Sequence, residues 1–223
     1  MIHGLTFKEY VEEEKQKLGE MSKEEKIDYF KEYYLKTVIF AVVVLILLMW
    51  LLIDIVLGFR GNIVTGGVVN TKLSQEGSTF LSDDYLTYMG ASKLTKKVYL
   101  APDIFIDDDD PQSYTVFQAE LATNTYNYLI SDEKGLAFAA QIEVAADLDE
   151  VLEDNLFKSL SDKIVYRKSG DNGTEIAAAI DITDTAFTKN YVNSGGKVYF
   201  VITGDPDEYG KALKMLEYIL EMK

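Results

Sequence analysis

The chain has 223 residues, a formal net charge of −15, one histidine and no cysteine. This composition excludes disulfides, thiolate metal sites and cysteine nucleophiles, and it leaves His3 as the sole source of imidazole chemistry. Most of the negative charge lies beyond residue 57, where it repels phosphate backbones, so no nucleic-acid partner is expected.

Residues 1–36 read as a helical leader in two pieces. Thr6-Phe7-Lys8-Glu9 and Ser22-Lys23-Glu24-Glu25 both have the capping-box order, in which a hydroxyl oxygen accepts from the backbone N–H three residues on and the glutamate reaches back. Leu5 and Tyr10 stand where a hydrophobic staple would close the first helix. Phe7, Tyr10, Val11, Glu14 and Leu18 share one face of that helix, and Ile27, Phe30, Tyr33 and Tyr34 share a face of the second. No Pro or Gly intervenes from Ser22 to Leu57, so the second helix is expected to run unbroken into the apolar stretch that follows. The Tyr and Phe residues next to Lys36 read as an aromatic belt at a membrane interface, in preference to a docking face for a cytoplasmic partner.

Residues 37–53 (TVIFAVVVLILLMWLLI) carry no charge. With Ile55, Val56 and Leu57 beyond Asp54, the segment 37–57 reaches the ~20 residues a helix needs to cross a ~30 Å hydrocarbon layer. A buried core helix of this length would carry a polar stripe, and this one has none. Asp54 lies one turn from the end, where its carboxylate reaches the interface. Lys17, Lys23, Lys26, Lys31 and Lys36 precede the span, and only Arg60 and Lys72 follow within a comparable distance. The lysine bias predicts a cytoplasmic amino terminus, an uncleaved signal anchor in the bilayer, a linker over residues 58–67 and an extracellular domain over residues 68–223.

Beyond the linker, strand-like and helix-like stretches alternate. Strands are expected at residues 97–106, 126–131, 163–168, 174–182 and 197–203, and helices at 112–123, 133–141, 148–160 and 206–222. The turn-rich residues 169–173 predict a hairpin between the third and fourth strands. Asn172-Gly173-Thr174 also fits a glycosylation sequon, and the turn reading is preferred. The alternation defines an α/β domain, a mixed sheet with covering helices.

Two stretches of this domain resemble bacterial extracellular solute-binding proteins. One runs from Tyr126 through YNYLISDEK, Ala137-Phe138-Ala139-Ala140 and Asp147-Leu148-Asp149-Glu150-Val151-Leu152. The other combines Ala179-Ile180-Asp181-Ile182-Thr183-Asp184, Val198-Tyr199-Phe200-Val201-Ile202 and the segment from Ala212 to Leu220. The leader, with FKEY at residues 7–10 and YFKEYYLK at 29–36, resembles that of single-pass membrane proteins of Gram-positive, Clostridia-like bacteria. The resemblance implies a non-catalytic binding function. Solute-binding proteins close two lobes over a ligand, whereas this domain has residues for about one, so transport specificity does not carry over and a small-molecule ligand is left open.

Asp107, Asp108, Asp109 and Asp110 form the most concentrated acidic loop, and Asp132 opens a second acidic turn with Glu133; Asp181 and Asp184 mark a third. Such carboxylates suit a hard cation such as calcium, but the spacing lacks the Gly and closing Glu of an EF-hand. Helix capping, with negative charge set against a helix N-terminus, is the preferred reading of each turn. All three turns are candidates for one sheet edge, where open α/β sheets bind ligands. The expected function is that of a non-catalytic membrane-anchored binding or interaction protein without a cofactor, whose partner is another protein or a second copy. The alternative is a cation-dependent cell-surface hydrolase using Asp107 to Asp110 and Asp132.

Overall fold

The computed structural model describes residues 6–171 and 173–222, so His3, the Leu5 half of the staple and Asn172 of the sequon lie outside the described residues. The chain divides into two compact units, Met1–Gly58 and Phe59–Lys223.

In the first unit, α1 (Phe7–Glu20) and α2 (Lys23–Tyr29) each open on a complete capping box. The Glu9 carboxylate accepts from the Thr6 N–H at 2.8 Å, and Glu25 accepts from the Ser22 N–H at 2.8 Å. α2 passes through a π-helical turn, Phe30–Tyr34, directly into α3 (Leu35–Gly58), giving the continuous helix expected from the absence of Pro and Gly. The stretch Lys23–Ile55 is long and apolar enough to cross a membrane, and none of its apolar window is buried inside the protein.

Two of the aromatic residues that precede Lys36 make contacts within the unit. The hydroxyls of Tyr29 and Tyr34 both donate to the Glu14 carboxylate, at 2.9 and 2.8 Å, and fasten α1 against the helix that follows. The Glu14 side chain is only 14% exposed, and these two hydroxyls, assisted by Lys17 at 3.4 Å, hold its carboxyl below the usual range. Tyr33 and Phe30 remain exposed.

The second unit opens with β1 (Gly61–Val69), which corrects the expectation of a linker over residues 58–67. Gly66-Gly67 looks like a turn signal in sequence. In the fold the pair lies inside the sheet because large side chains of the adjoining strands cross over it. A Cβ on Gly66 would stand 2.2 Å from Cζ of Tyr128, and one on Gly67 would stand 2.9 Å from Cδ1 of Ile104.

β2 (Lys72–Leu73) follows, then α4 (Gln75–Thr79), a second π-helical turn (Phe80–Asp84), and α5 (Tyr85–Tyr88). β3 (Lys96–Ile104), α6 (Pro111–Ala122), β4 (Tyr128–Ser131), α7 (Glu133–Gln141), α8 (Leu148–Val151) and α9 (Asp154–Ser159) come next. The chain ends with β5 (Ile164–Lys168), β6 (Glu175–Asp181), α10 (Ala186–Tyr191), β7 (Val192–Asn193), β8 (Tyr199–Ile202) and α11 (Tyr209–Glu221). The six-stranded mixed sheet has the order β3-β1-β4-β8-β6-β5, and β2 pairs with β7 in a separate ribbon. β1 runs parallel to β3 and β4; β8 is antiparallel to β4 and β6, and β5–β6 is the expected antiparallel hairpin.

β4 and β8 are buried at every residue, as central strands covered on both faces must be. Their side chains alternate between two cores. Tyr128, Ile130, Phe200 and Ile202 meet Leu81, Tyr85, Phe187 and the α11 residues Met215, Leu216 and Ile219. Leu129 and Val201 meet Phe117 and Leu121 of α6 and Leu136, Ala139 and Ala140 of α7. The hairpin register skips Ala178, which bulges so that Ala178 and Ala179 both join the second core.

Tyr128 stacks on Phe200 with ring centroids 5.1 Å apart and a 7° interplanar angle. Its buried hydroxyl has no hydrogen-bond partner among the described residues, and burial pushes its pKa far up. An orphaned hydroxyl costs desolvation without return. Tyr128→Phe is therefore expected to raise unfolding stability by about 1 kcal/mol in a urea titration. A loss of that size instead would mean that a bound water serves the hydroxyl.

Candidate functional site at the carboxyl edge of the sheet

The registers Val69↔Ile104, Val69↔Ser131, Ser131↔Tyr199 and Asp181↔Tyr199 align the carboxyl ends of β1, β3, β4 and β6. The three acidic turns follow β3, β4 and β6, so all of them emerge at this one edge. They do not form one carboxylate cluster. Each oxygen with a resolved role is answered by its own donor.

Within the first loop, Asp107 accepts from the Asp109 N–H at 3.2 Å, and its own N–H donates to Ser113 Oγ. Asp110 caps α6 by accepting from the Gln112 N–H at 3.2 Å, with Pro111 in the first turn. Asp108 accepts from the Tyr114 hydroxyl at 2.7 Å and pairs with Lys134 at 3.1 Å. The Tyr114 hydroxyl and the Lys134 ammonium hold the Asp108 carboxyl below its usual range. Lys134 also sits 5.7 Å from the Tyr114 ring centre, so this cation ties the first loop to α7.

Asp132 caps α7 through the Gly135 N–H at 2.9 Å. The cap depends on close approach, since a Cβ on Gly135 would stand 2.1 Å from Ser131 Oγ. The neighbouring Glu133 accepts from Arg167 Nε at 3.1 Å. Burial, with the Glu133 carboxylate second, pushes the Tyr199 hydroxyl up to about 12. In the third turn the capping expectation fails: Thr185 caps α10, while Asp181 accepts from the Thr183 N–H at 3.0 Å and pairs with Lys197 at 2.9 Å. Burial opposes ionisation of Asp181, but Thr183 and Lys197 outweigh it and the carboxyl titrates below its usual range.

Among the described residues no group of three or more His, Cys, Asp or Glu side chains has an arrangement that could hold a metal ion. The carboxyls with resolved shifts, Asp108 and Asp181, are held ionised, the direction opposite to that needed by a general acid near neutral pH. A groove of about 360 Å³ lies beside this edge, lined by Asp103, Phe105, Asp110, Gln112, Val116 and Glu120. A smaller one of about 170 Å³ holds Asp162, Lys163, Asp181, Asp184 and Thr185. Both open to solvent and have acidic walls. Sequence reasoning located the carboxylates but missed Lys134, Arg167 and Lys197. Lys134 stands on α7, Arg167 on β5 and Lys197 in the loop before β8, and their pairings with the acidic turns join elements that only the fold brings together.

No protein-family model matches this chain, and comparisons with curated proteins and with solved structures give no match.

Proposed function

We propose that this chain is a non-catalytic, single-pass membrane protein that presents an α/β interaction domain outside the cell and keeps its helical leader in the cytoplasm. One observation carries the reading: the apolar window of Lys23–Ile55 has no buried part, so the protein itself offers that surface no apolar cover. The lysine bias supports the orientation. The resemblance of the domain to one lobe of a solute-binding protein supports binding rather than catalysis. The carboxylates at the sheet edge are engaged by helix N-termini and by Lys134, Arg167 and Lys197, which suits a rigid, charged rim better than a reacting centre. The partner is a protein surface, either another protein or a second copy, because open acidic grooves bury too little of a small solute.

The test is made on the full chain in cells. It should resist alkaline extraction from membranes, and protease added outside should digest residues 59–223 while sparing the leader. Protection of the domain would reverse the topology, and extraction into the soluble fraction would remove the anchor. In calorimetry the solubilised chain should bind sugars, amino acids and short peptides no more tightly than roughly millimolar, about −4 kcal/mol. A micromolar complex with the monomer would restore a solute receptor.

A further inference from the structure

The two most exposed large apolar side chains of the second unit, Phe59 at 84% and Leu94 at 67%, belong to the same corner of the fold. Leu94 stands at the tip of the tight turn that leads into β3. Within that turn the N–H groups of Thr95 and Lys96 donate to the Ser92 carbonyl, at 3.1 and 2.9 Å, and the Leu94 N–H reaches Ser92 Oγ at 3.3 Å. The turn is tied to the first residues of the unit. The Gly61 N–H donates to the Thr95 carbonyl at 3.0 Å, and Arg60 Nη1 donates to the Lys93 carbonyl at 3.3 Å. Its flanks are basic. Lys93 and Lys96 are exposed, Lys97 is half-buried, and Lys93 shares an exposed ion pair with Asp83 at 3.3 Å. On a strongly acidic chain, four cations of residues 60 and 93–97 around two solvent-facing apolar side chains stand out as a local reversal of charge.

Covalent connection limits where this corner can be. Gly61 is three residues past Gly58, the last residue of α3, and an extended chain covers about 10 Å in that distance. We infer that the turn Ser92–Lys97, together with Phe59 and Arg60, is a foot that seats on the phosphate layer of the bilayer, with Leu94 and Phe59 entering the headgroup boundary and the lysines meeting lipid phosphates. This inference rests on the reading of α3 as a membrane span. An apolar tip ringed by flexible cations suits that boundary, because the alkyl stems of lysine pack along apolar surface while the ammonium groups reach outward to phosphate. The attraction should grow with the negative charge of the surface and weaken with salt.

The absence of native cysteine permits a clean test on the full chain reconstituted in vesicles. Leu94→Cys carries an environment-sensitive fluorophore, and Gly195→Cys carries the same label as a control, at an open position on the loop entering β8. The vesicles are phosphatidylcholine, or an equimolar mixture of phosphatidylcholine and phosphatidylglycerol, each doped with headgroup-level nitroxide lipid. Flotation under alkaline conditions reports the span separately. The expected result is that the chain floats and that the label at position 94 is quenched at least about twofold more than the control. Quenching should be deeper in the anionic vesicles and should fall by about half or more on adding Lys93→Glu, Lys96→Glu and Lys97→Glu. Floating chain with equal quenching at both positions overturns the foot and leaves the span standing. Chain that fails to float overturns the span itself. Quenching unchanged by the triple substitution overturns the role of the lysines. Blue-shifted emission without quenching, rising with the protein-to-lipid ratio, would place a second copy on the turn and also overturn the proposal.

Discussion

Replacement of Gly66 by valine should leave the α/β unit without its native packing, and Gly66→Ala alone should cost about 2–3 kcal/mol in a urea titration followed by circular dichroism. The cause is local. The Tyr128 ring lies across β1 so closely that a Cβ at residue 66 would overlap Cε1, Cζ and the hydroxyl oxygen at 2.7, 2.2 and 2.4 Å. The ring has little room to retreat, because it is stacked on Phe200 and buried completely. Shortening the intruder should help, so Gly66→Ala combined with Tyr128→Leu is expected to be more stable than the sum of the two single changes by about 1 kcal/mol or more. Equal stability of Gly66→Ala and the parent would show that the ring does not occupy that space.

The second large effect concerns α3. Leu47→Arg sets a charge near the middle of the apolar run and is expected to penalise membrane insertion by roughly 2.5–3.5 kcal/mol, enough to move much of the chain into the extractable fraction. Asp54→Leu, one turn from the end, should change extraction little, because a terminal carboxylate already reaches the interface. A Leu47→Arg chain that resists alkaline extraction as well as the parent would argue against the span. The comparison also separates a span from an amphipathic surface helix, for which one face would tolerate the arginine.

The parts of the fold legible in the sequence were those governed by short-range physics. Thr6 with Glu9 and Ser22 with Glu25 marked helix starts that the backbone obeys. The expected helix over residues 133–141 coincides with Glu133–Gln141, because Asp132 supplies its cap and Leu136, Ala139 and Ala140 its apolar face. The two central strands were legible from unbroken apolar runs. What escaped was set by distant neighbours. Gly66 and Gly67 are strand residues only because Tyr128 and Ile104 lie over them. The helical run from Gln75 to Tyr88 begins with QEGST, a poor helix former by composition, and it is held by Phe80 stacking on Tyr218 at 4.4 Å and by Gly77 fitting against Leu73 and Tyr191. At the acidic edge, the capping roles of Asp110 and Asp132 followed from sequence, whereas Asp181 is paired across the sheet with Lys197, a partner that loop composition does not announce. Glu14 was placed on the correct face of α1, but nothing local says that Tyr29 and Tyr34 will meet it.

The position of β1 has a mechanical consequence. The strand that enters the α/β unit from the preceding helix is an interior one, bonded to β3 on one side and β4 on the other. Tension directed along β1 would act on an interior strand. Both ladders would then be sheared together, and the hydrogen bonds would have to yield as a group. An edge strand in the same place would peel open one bond at a time. The α/β unit is thus joined to the helix before it through an interior strand held by two ladders, an arrangement that withstands shear better than an edge strand.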